Sequence, residues 1–340
     1  MQLVSIISCC RNEIRVIERF LRSLDEQTVR DFELEAIVAD GESKDGTREI
    51  LDRFASQRPW MQVVGNPARI ASAGLNAAIQ RARGSVVIRM DAHTEYARDY
   101  IADCLHVLHE TKASMVGGPM RMARGSWWQN ALGLAYGSKI FSGGSRVYDI
   151  TYKGPVDSVL YGCWPVRVIQ ALRGFDEAMV RNADDDLSFR LTQIGGLIWQ
   201  SPSIVCWYHP RRTPLALARQ FFDYGYWKVY GMRKHRTVVS ARHIAPAVAL
   251  TVFAMMAAAA PVSRRARLAL GVGLLAYAAI IAAAAALRIG NRRDLGLYPG
   301  VLAAFPVAHA AYGLGAWCGL VCGAKPVPLH RAPSSRGQAA

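Results

Sequence analysis

Short apolar segments alternate with helical patterns along the first 118 residues, and this alternation constrains the fold more than any other feature. Buried-strand patterns cover residues 3–8, 34–39, 61–64, 86–90 and 114–118. Helical patterns with one apolar face lie between them, at 14–24, 48–56, 70–83 and 100–111. Strands that alternate with helices of this length predict a parallel, doubly wound α/β sheet. No Gly-x-Gly-x-x-Gly follows a strand, which argues against a dinucleotide-binding domain.

Polar residues follow two of these strands directly. Asp40 ends the second strand, and Asp91-Ala92-His93 follows the fourth. Ligands of an open α/β sheet bind at the carboxyl edge of its strands, so these side chains should meet there. A carboxylate and an imidazole suit Mn²⁺ or Mg²⁺ bound to a diphosphate. A strand that ends in Asp is also common in ordinary turns and helix caps.

Three consecutive acids, Asp184, Asp185 and Asp186, open a predicted helix whose apolar face is formed by later leucines. Acids at a helix N-terminus are electrostatically favourable, so a plain cap is one interpretation. Three in a row exceed what a cap needs, and like charges this close raise the pKa of one member. A raised carboxyl pKa suits a general base.

The net charge of +15 is confined to the C-terminal part of the chain. Residues 1–210 hold 24 Lys+Arg and 24 Asp+Glu, whereas residues 211–340 hold 17 Lys+Arg against Asp223 and Asp294. The excess flanks long apolar segments, which favours anionic membrane lipids as partners. No basic patch with stacking aromatics lies in the first 210 residues, so we expect no nucleic acid partner.

The last third of the sequence is typical of a membrane-associated helical region. Residues 211–243 mix aromatic and basic side chains, a pattern that predicts an amphipathic segment at a membrane surface. Residues 244–322 hold three apolar segments, 244–262, 268–287 and 295–321, each close to the roughly 20 residues that span a bilayer. Residues 323–340 are predicted to be a disordered tail. We therefore expect a multi-pass protein of the plasma membrane.

The N-terminal apolar run is too short for a signal peptide and has no basic region before it. The seven cysteines form no Cys-x-x-Cys pair and no zinc spacing, which suits a reducing compartment. The basic cluster 228–242 precedes the first apolar segment. Because cytoplasmic loops carry the excess of Lys and Arg, we expect residues 1–210 to be cytoplasmic.

The motifs, taken in order, resemble those of family 2 glycosyltransferases with the GT-A fold, and within them the membrane-bound succinoglycan-type exopolysaccharide enzymes. The resemblance covers about residues 4–235. It rests on the following motifs: Val4-Ser5-Ile6-Ile7 with Asn12-Glu13, Ala39-Asp40-Gly41-Glu42-Ser43-Lys44-Asp45-Gly46-Thr47, Asn76, Met90-Asp91-Ala92-His93, and Gly174-Phe175-Asp176-Glu177 before the three acids. It implies a doubly wound mixed sheet over residues 1–210, followed by the helical membrane region.

The resemblance also implies roles for individual residues. The nucleotide pocket would be formed by Cys9, Cys10, Asn12, Glu13, Asp40, Asn76 and Asp91. Asp40 would recognise uracil, and Asp91 with His93 would hold the divalent metal, His93 replacing the last Asp of the family's Asp-x-Asp motif. The family's Glu-Asp motif falls on Ala183-Asp184, so Asp184 would be the catalytic base. Asp185 is its rival, because a register shift of one residue would exchange the two.

The activity implied is inverting transfer of one sugar from a UDP-sugar, with UDP-glucose suggested by the subgroup. The acceptor would be a saccharide on a polyprenyl diphosphate at the cytoplasmic face of the membrane, in exopolysaccharide or cell-envelope glycan synthesis.

Two alternatives stay open. A processive synthase should carry Gln-x-x-Arg-Trp, whereas residues 220–224 read Gln-Phe-Phe-Asp-Tyr. A catalytically silent membrane scaffold would account for Ala183 and His93 but not for the retained acids.

Overall fold

A computed structural model describes residues 1–29, 31–237 and 243–323, and its centre is an eight-stranded mixed sheet. The strands within these described residues are β1 Gln2–Cys10, β2 Phe32–Asp40, β3 Met61–Gly65, β4 Val86–Arg89, β5 Thr94–Tyr96, β6 Met115–Gly118, β7 Arg121–Met122, β8 Gly154–Pro155, β9 Leu160–Pro165, β10 Ile198–Gln200 and β11 Cys206–Tyr208. The large sheet has the order β3-β2-β1-β4-β9-β6-β10-β8. All five strands predicted over the first 118 residues are present, within two residues at either end.

The sheet is parallel from β3 to β4, as the alternating pattern predicts. Beyond β4 it becomes mixed, because β9 runs antiparallel to both β4 and β6. A second sheet, in the order β5-β11-β7, lies after the C-terminal end of β4. Both departures involve strands that lie after residue 93 in the chain.

Helices cover both faces of the large sheet. Those of the first 210 residues are α1 Ile17–Asp25, α2 Thr47–Ser56, α3 Ala71–Arg81, α4 Tyr100–Thr111, α5 Trp127–Tyr136, α6 Lys139–Ser142, α7 Val166–Ala171 and α8 Ala183–Gln193. On one face, α1, α2 and α4 bury residues such as Phe20 and Leu51. On the other, α3, α7 and α8 bury residues such as Leu75 and Leu187. The strands are therefore apolar on both sides, which is why they read as continuous hydrophobic runs.

The C-terminal region is helical, with α9 Pro214–His235, α10 Ala245–Ala259, α11 Arg264–Ala286 and α12 Tyr298–Val321. Two segments are long and apolar enough to cross a membrane, Arg264–Ala286 and Arg292–Val321. The prediction of about three spans is therefore too high, because α10 has 15 residues against the roughly 20 required. Apart from Gly323, the predicted tail lies outside the described residues.

Helix α9 packs closely along α12, and glycines make the approach possible. A Cβ on Gly315 would lie 2.0 Å from the carbonyl oxygen of Phe222, and one on Gly225 would lie 2.1 Å from that of Tyr312. These distances are far below van der Waals contact, so only glycine fits at these positions.

Three residues of α9 bind the acids of α8, namely Lys228, Lys234 and His235. Protein contacts therefore account for part of the aromatic and basic pattern over residues 211–237. That residues 211–243 form an amphipathic segment at a membrane surface stays a prediction, and residues 238–242 of it lie outside the described residues.

Candidate active site

Arg89, the last residue of β4, joins two of the predicted site residues. Its Nε and Nη2 donate to the two carboxylate oxygens of Asp91, at 2.7 and 2.9 Å. Its Nη1 donates to Oδ1 of Asp184 at 2.7 Å. Arg89 is 6% exposed and Asp91 8%. Burial lowers the pKa of Arg89, but Asp184 and Asp91 outweigh it and raise that pKa above its ordinary value, so the guanidinium is a permanent charge.

The backbone places Asp91 at the carboxyl edge of the sheet, as predicted. The parallel ladder pairs Arg89 with Ile7 of β1, which brings the residue after β4 level with the end of β1. The Tyr96 hydroxyl accepts a hydrogen bond from the Asp91 backbone N–H at 2.5 Å. Burial, with Asp91 as the next contribution, raises the pKa of Cys9 to about 12, so this thiol is protonated at neutral pH.

Each acid at the start of α8 has its own cation. Asp184 accepts a hydrogen bond from Arg89, and the Oδ2 of Asp185 lies 2.5 Å from the Nζ of Lys228. Asp186 is fully buried and accepts hydrogen bonds from three side chains, Lys234, His235 and Arg190. Burial raises the pKa of Asp186, but those donors outweigh it and hold the pKa below its ordinary value.

The expected rise in pKa from neighbouring like charges is therefore not found at Asp186. Two of the compensating donors, Lys234 and His235, lie 48 and 49 residues further along the chain, on α9. Asp186 joins α8 to α9 and is not available to a substrate. Asp184 and Asp185 remain the candidate bases, and both line the large cavity described below.

His93 lies beside Asp91 and contacts Tyr208 edge-on, with ring centroids 6.1 Å apart. Burial lowers the pKa of His93, which Asp91 opposes only in part. Its imidazole is therefore neutral at pH 7, the form that binds metal ions. His93 has no hydrogen-bonded partner within the described ranges.

The residues at hand fit a divalent cation that a bound diphosphate completes. Within residues 1–29, 31–237 and 243–323, no three His, Cys, Asp or Glu side chains cluster as a protein-made metal site. Nucleotide sites need only one or two protein ligands, because phosphate oxygens supply the others. An ionised carboxylate has about four acceptor positions, of which Arg89 uses two on Asp91. Asp91 and His93 are therefore a sufficient protein contribution.

Asp40 has the geometry expected of a base-recognising carboxylate. It is paired with Cys10 in the β1–β2 ladder and is almost fully buried. Its Oδ2 accepts the backbone N–H of Ser43 at 3.2 Å, whereas its Oδ1 is buried and accepts no hydrogen bond from a described residue. An unpaired buried acceptor is costly, so Oδ1 is suited to an N–H donor from a ligand. Burial raises the pKa of the neighbouring Cys10 thiol, with Asp40 adding to the effect.

Asn12 and Glu13 form the loop that follows β1. Asn12 has a left-handed backbone (φ +55°), and its Oδ1 accepts the backbone N–H of Lys44 at 2.9 Å. The Glu13 backbone N–H donates to the Thr47 hydroxyl at 2.8 Å. Burial raises the pKa of the Glu13 carboxyl; Arg211 opposes this rise. The polar residues after β1 and after β2 are thus held together, as the strand order predicts.

Asn76 is placed differently from the other predicted nucleotide residues. Its amide oxygen accepts the Phe175 backbone N–H, and its amide nitrogen donates to the Phe175 carbonyl and to Glu177, each at 2.8 Å. These contacts fasten α3 to the turn that precedes α8. Its assignment to nucleotide binding stays a prediction that these contacts do not support.

One large cavity, of about 1150 Å³, connects the site to the C-terminal helices, and we call it the acceptor cavity. Its polar end is lined by Arg89, Asp91, His93, Asp184, Asp185, Arg211 and Tyr208. Its other end is lined by apolar residues of α10, α11 and α12, among them Leu250, Phe253, Leu274 and Pro306. A substrate that fills it must be polar at one end and apolar at the other.

Sequence reasoning missed Arg89 and Arg211. Arg89 is the only charged residue within the buried run Val86-Val87-Ile88-Arg89-Met90, and a buried charge is nearly always paired. That rule was a usable signal for Arg89. Arg211 belongs to an unremarkable Pro-Arg-Arg sequence, and only the fold brings it to the cavity.

Comparison with known proteins identifies the family of this chain. Residues 5–168 match the family described as Glycosyl transferase family 2. The chain is 30% identical over 314 residues to succinoglycan biosynthesis protein ExoA of Rhizobium meliloti, covering 92% of this chain and 93% of that protein. The chain belongs to glycosyl transferase family 2. It is therefore a glycosyltransferase.

Two further proteins are similar at lower identity. A dolichyl N-acetyl-α-D-glucosaminyl phosphate 3-β-D-2,3-diacetamido-2,3-dideoxy-β-D-glucuronosyltransferase of Methanococcus voltae is 23% identical over 242 residues, which is 69% of this chain and 75% of that protein. The mannosyltransferase PcManGT of Pyrobaculum calidifontis, solved with GDP-Man and Mn²⁺, aligns over 94% of this chain and 87% of its own. Its TM-score is 0.63 at 21% identity. The GT-A fold predicted from the motifs is confirmed.

Proposed function

We propose that this glycosyltransferase moves a single sugar, with inversion, from a UDP-sugar to a lipid-linked saccharide at the cytoplasmic face of the membrane. UDP-glucose is the first donor to test, because the succinoglycan-type subgroup that the motifs resemble suggests it. The relative named succinoglycan biosynthesis protein ExoA, which shares 30% identity over 92% of the chain, is consistent with that subgroup. The observation that carries the proposal is the bridge formed by Arg89, which brings Asp91 and Asp184 into one site at the polar end of the acceptor cavity.

Asp184 is better suited than Asp185 to act as the base. Its side chain is 44% exposed and gives only Oδ1 to Arg89, so Oδ2 is open to an acceptor hydroxyl. Asp185 is paired with Lys228 at 2.5 Å and is not part of the Arg89 bridge to Asp91. Asp184 takes the proton of the acceptor hydroxyl, whose oxygen attacks the anomeric carbon from the face opposite the nucleotide. The bond from that carbon to the diphosphate oxygen then breaks.

The leaving diphosphate needs positive charge around it. Asp91 and His93 would hold a divalent cation, which when bound neutralises the charge that develops on the diphosphate. The Mn²⁺ bound to PcManGT supports a cation of this kind. Arg89 fixes the orientation of the Asp91 carboxylate before the donor arrives.

Recognition of the base is assigned to Asp40. Its unpaired, buried Oδ1 would accept the N–H of a uracil ring. A guanine ring also offers N–H donors, and PcManGT was solved with GDP-Man. UDP and GDP must therefore be compared directly.

The membrane part of the proposal is supported by Arg264–Ala286 and Arg292–Val321, the two segments long enough to cross a bilayer. The acceptor cavity leads from Asp184 to these helices, so an acceptor carried on a lipid would reach the base without leaving the membrane. The basic residues that precede α10 support a cytoplasmic catalytic domain.

The deciding experiment is calorimetric titration of the detergent-solubilised full chain with UDP and GDP, each with and without Mn²⁺. We expect the protein to bind UDP when Mn²⁺ is present. Asp40→Asn should weaken this UDP binding, because an amide presents a donor as well as an acceptor. Preference for GDP would overturn the donor assignment. If neither nucleotide binds, the chain acts as a scaffold rather than an enzyme of this kind.

Product analysis separates single transfer from processive synthesis. Incubation with UDP-glucose and a lipid extract should give products longer by one hexose. A ladder of lengths would instead show a processive synthase. Gln220, which opens the segment where such enzymes carry Gln-x-x-Arg-Trp, is used here to bind the hydroxyls of Tyr208 and Tyr224.

A further inference from the structure

The acceptor cavity contains two arginines that the chemistry described above does not use. Three of its five lining Arg and Lys residues are neutralised by carboxylates: Arg89 by Asp91 and Asp184, Lys228 by Asp185 at 2.5 Å, and Arg181 by Asp223 at 3.7 Å. The remaining two are Arg211 and Arg219. Neither forms an ion pair with a carboxylate within residues 1–29, 31–237 and 243–323.

Both arginines line the cavity. Arg211 lies at its polar end, three residues before the start of α9, and is half-buried, close enough to Glu13 and His93 to shift their pKa values. Arg219 lies on the second turn of α9 and shares a face of that helix with Ala216 and Asp223, which also line the cavity. The half-buried guanidinium of Arg211 has no carboxylate partner among the described residues, so it is a strong site for an anion. The more exposed Arg219 adds a second positive charge to the same cavity.

The other end of the cavity is suited to a hydrocarbon chain. The residues that line it on α10 and α11 include Ala249, Leu250, Phe253 and Leu274. Pro306 and Ala310 of α12 line the same end. These helices include both candidate membrane spans, so an occupant could enter from the bilayer.

We propose that Arg211 and Arg219 form the binding site for the phosphate of an isoprenoid-phosphate carrier, whose hydrocarbon chain lies between α10, α11 and α12. The inference rests on the proposed function and deepens it, because it assigns the acceptor's anionic group to named residues. A saccharide attached to that phosphate would extend toward Asp184, which lines the same polar end. Arg211 and Arg219 are positioning residues in this arrangement and take no part in bond breaking.

The test measures binding of geranyl diphosphate, geraniol and inorganic diphosphate to the full chain in nanodiscs. We expect geranyl diphosphate to bind more tightly than geraniol or inorganic diphosphate, since the site recognises both the anion and the hydrocarbon chain. Arg211→Gln and Arg219→Gln should each weaken that binding by roughly tenfold or more, the loss typical of one charge-assisted hydrogen bond. Arg211→Lys should retain part of it, because the charge remains.

The matched control is Arg212→Gln. Arg212 is adjacent to Arg211, exposed and absent from the lining of the cavity. The variant removes the same charge from the same loop, so it should bind geranyl diphosphate within about twofold of wild type. Equal losses in Arg212→Gln and Arg211→Gln would show a non-specific charge effect and overturn the proposal. Equal binding of geraniol and geranyl diphosphate would also overturn it.

UDP binding, measured on the same samples, separates this proposal from the one on which it rests. Arg211→Gln and Arg219→Gln should leave UDP affinity within about twofold of wild type, which also shows that the variants are folded. A large loss of UDP affinity in Arg211→Gln would assign this arginine to the donor diphosphate and refute the acceptor site. If wild type binds UDP but not geranyl diphosphate, the phosphate site is wrong and the donor assignments stand. If wild type binds geranyl diphosphate through the two arginines but binds no nucleotide, the proposed function is wrong and the phosphate site stands.

Discussion

Replacement of Arg89 by Met is the most direct test of how the site is held together. The substitution removes a buried guanidinium and leaves Asp91, 8% exposed, as a charge without a cation. Breaking a buried ion pair from one side costs about 3–5 kcal/mol. Asp184 loses the same partner, but its side chain is 44% exposed and water can replace the contact. We therefore expect about 3 kcal/mol, the lower end of that range.

Urea titration of the full chain in detergent, followed by tryptophan fluorescence, measures this loss. With a urea dependence of roughly 2–3 kcal/mol per molar for a domain of this size, the midpoint should fall by about 1 M or more. The matched control is Arg48→Met. Arg48 donates to both oxygens of Asp52 at 2.9 and 2.8 Å, but both side chains are exposed. That pair should contribute less than about 1 kcal/mol.

The double variant Arg89→Met with Asp91→Asn decides whether the cost comes from the unpaired charge. Asn carries no charge, so the double variant has no unpaired buried charge. It should therefore recover about 2 kcal/mol of the unfolding free energy that Arg89→Met loses, an ordinary coupling energy for contacting residues. Mn²⁺ should also stabilise Arg89→Met more than wild type, because the freed carboxylate gains a cation. If the double variant is as unstable as the single one, or if Arg48→Met costs as much as Arg89→Met, the argument from burial is refuted.

Four further outcomes are expected. Asp184→Asn should lower turnover by roughly 10²–10⁴-fold, the usual contribution of a general base, with UDP affinity unchanged; a larger loss in Asp185→Asn would exchange the two assignments. His93→Ala should raise the Mn²⁺ concentration needed for UDP binding, and an unaltered metal titration would make His93 a packing residue. Because the folded pKa of Asp186 is lowered, its stabilisation is present above the ordinary value and is lost as pH falls below about 4. The melting temperatures of wild type and Asp186→Asn should therefore differ at pH 7 and converge at acid pH; a constant difference would contradict the ion-pair origin. Gly315→Val should separate α9 from α12 and lower the melting temperature, while Gly271→Val, at an open position of α11, should not.

The parallel half of the sheet could be predicted because its signals are local. Each strand is a short apolar run, and the position of Asp40 or Asp91 follows from the end of the run. The antiparallel insertion of β9 between β4 and β6 could not be predicted in this way. Its residues follow a region without a clear period, and its neighbours in the sheet lie more than 40 residues earlier in the chain.

The site was only partly predictable because its charges are neutralised over long distances in sequence. Arg89 and Asp184 are 95 residues apart, so the bridge between them has no local pattern. From their sequence neighbours alone, the three acids of α8 are predicted to repel one another. Their partners on α9 reverse that conclusion for Asp186, whose pKa is lowered rather than raised.

Helix α9 shows why aromatic and basic residues do not by themselves identify a membrane-surface segment. Its Gly225 carried part of the missing information, since small residues are typical of closely packed helices. Gly225 meets α12 at a distance that excludes any side chain, while Lys228 and Lys234 of the same helix bind the acids of α8. α9 is thus fixed on both sides, to the catalytic domain and to a candidate membrane span. The distance between Asp184 and the candidate membrane spans is therefore set by the fold, which suits the proposed acceptor anchored in the bilayer.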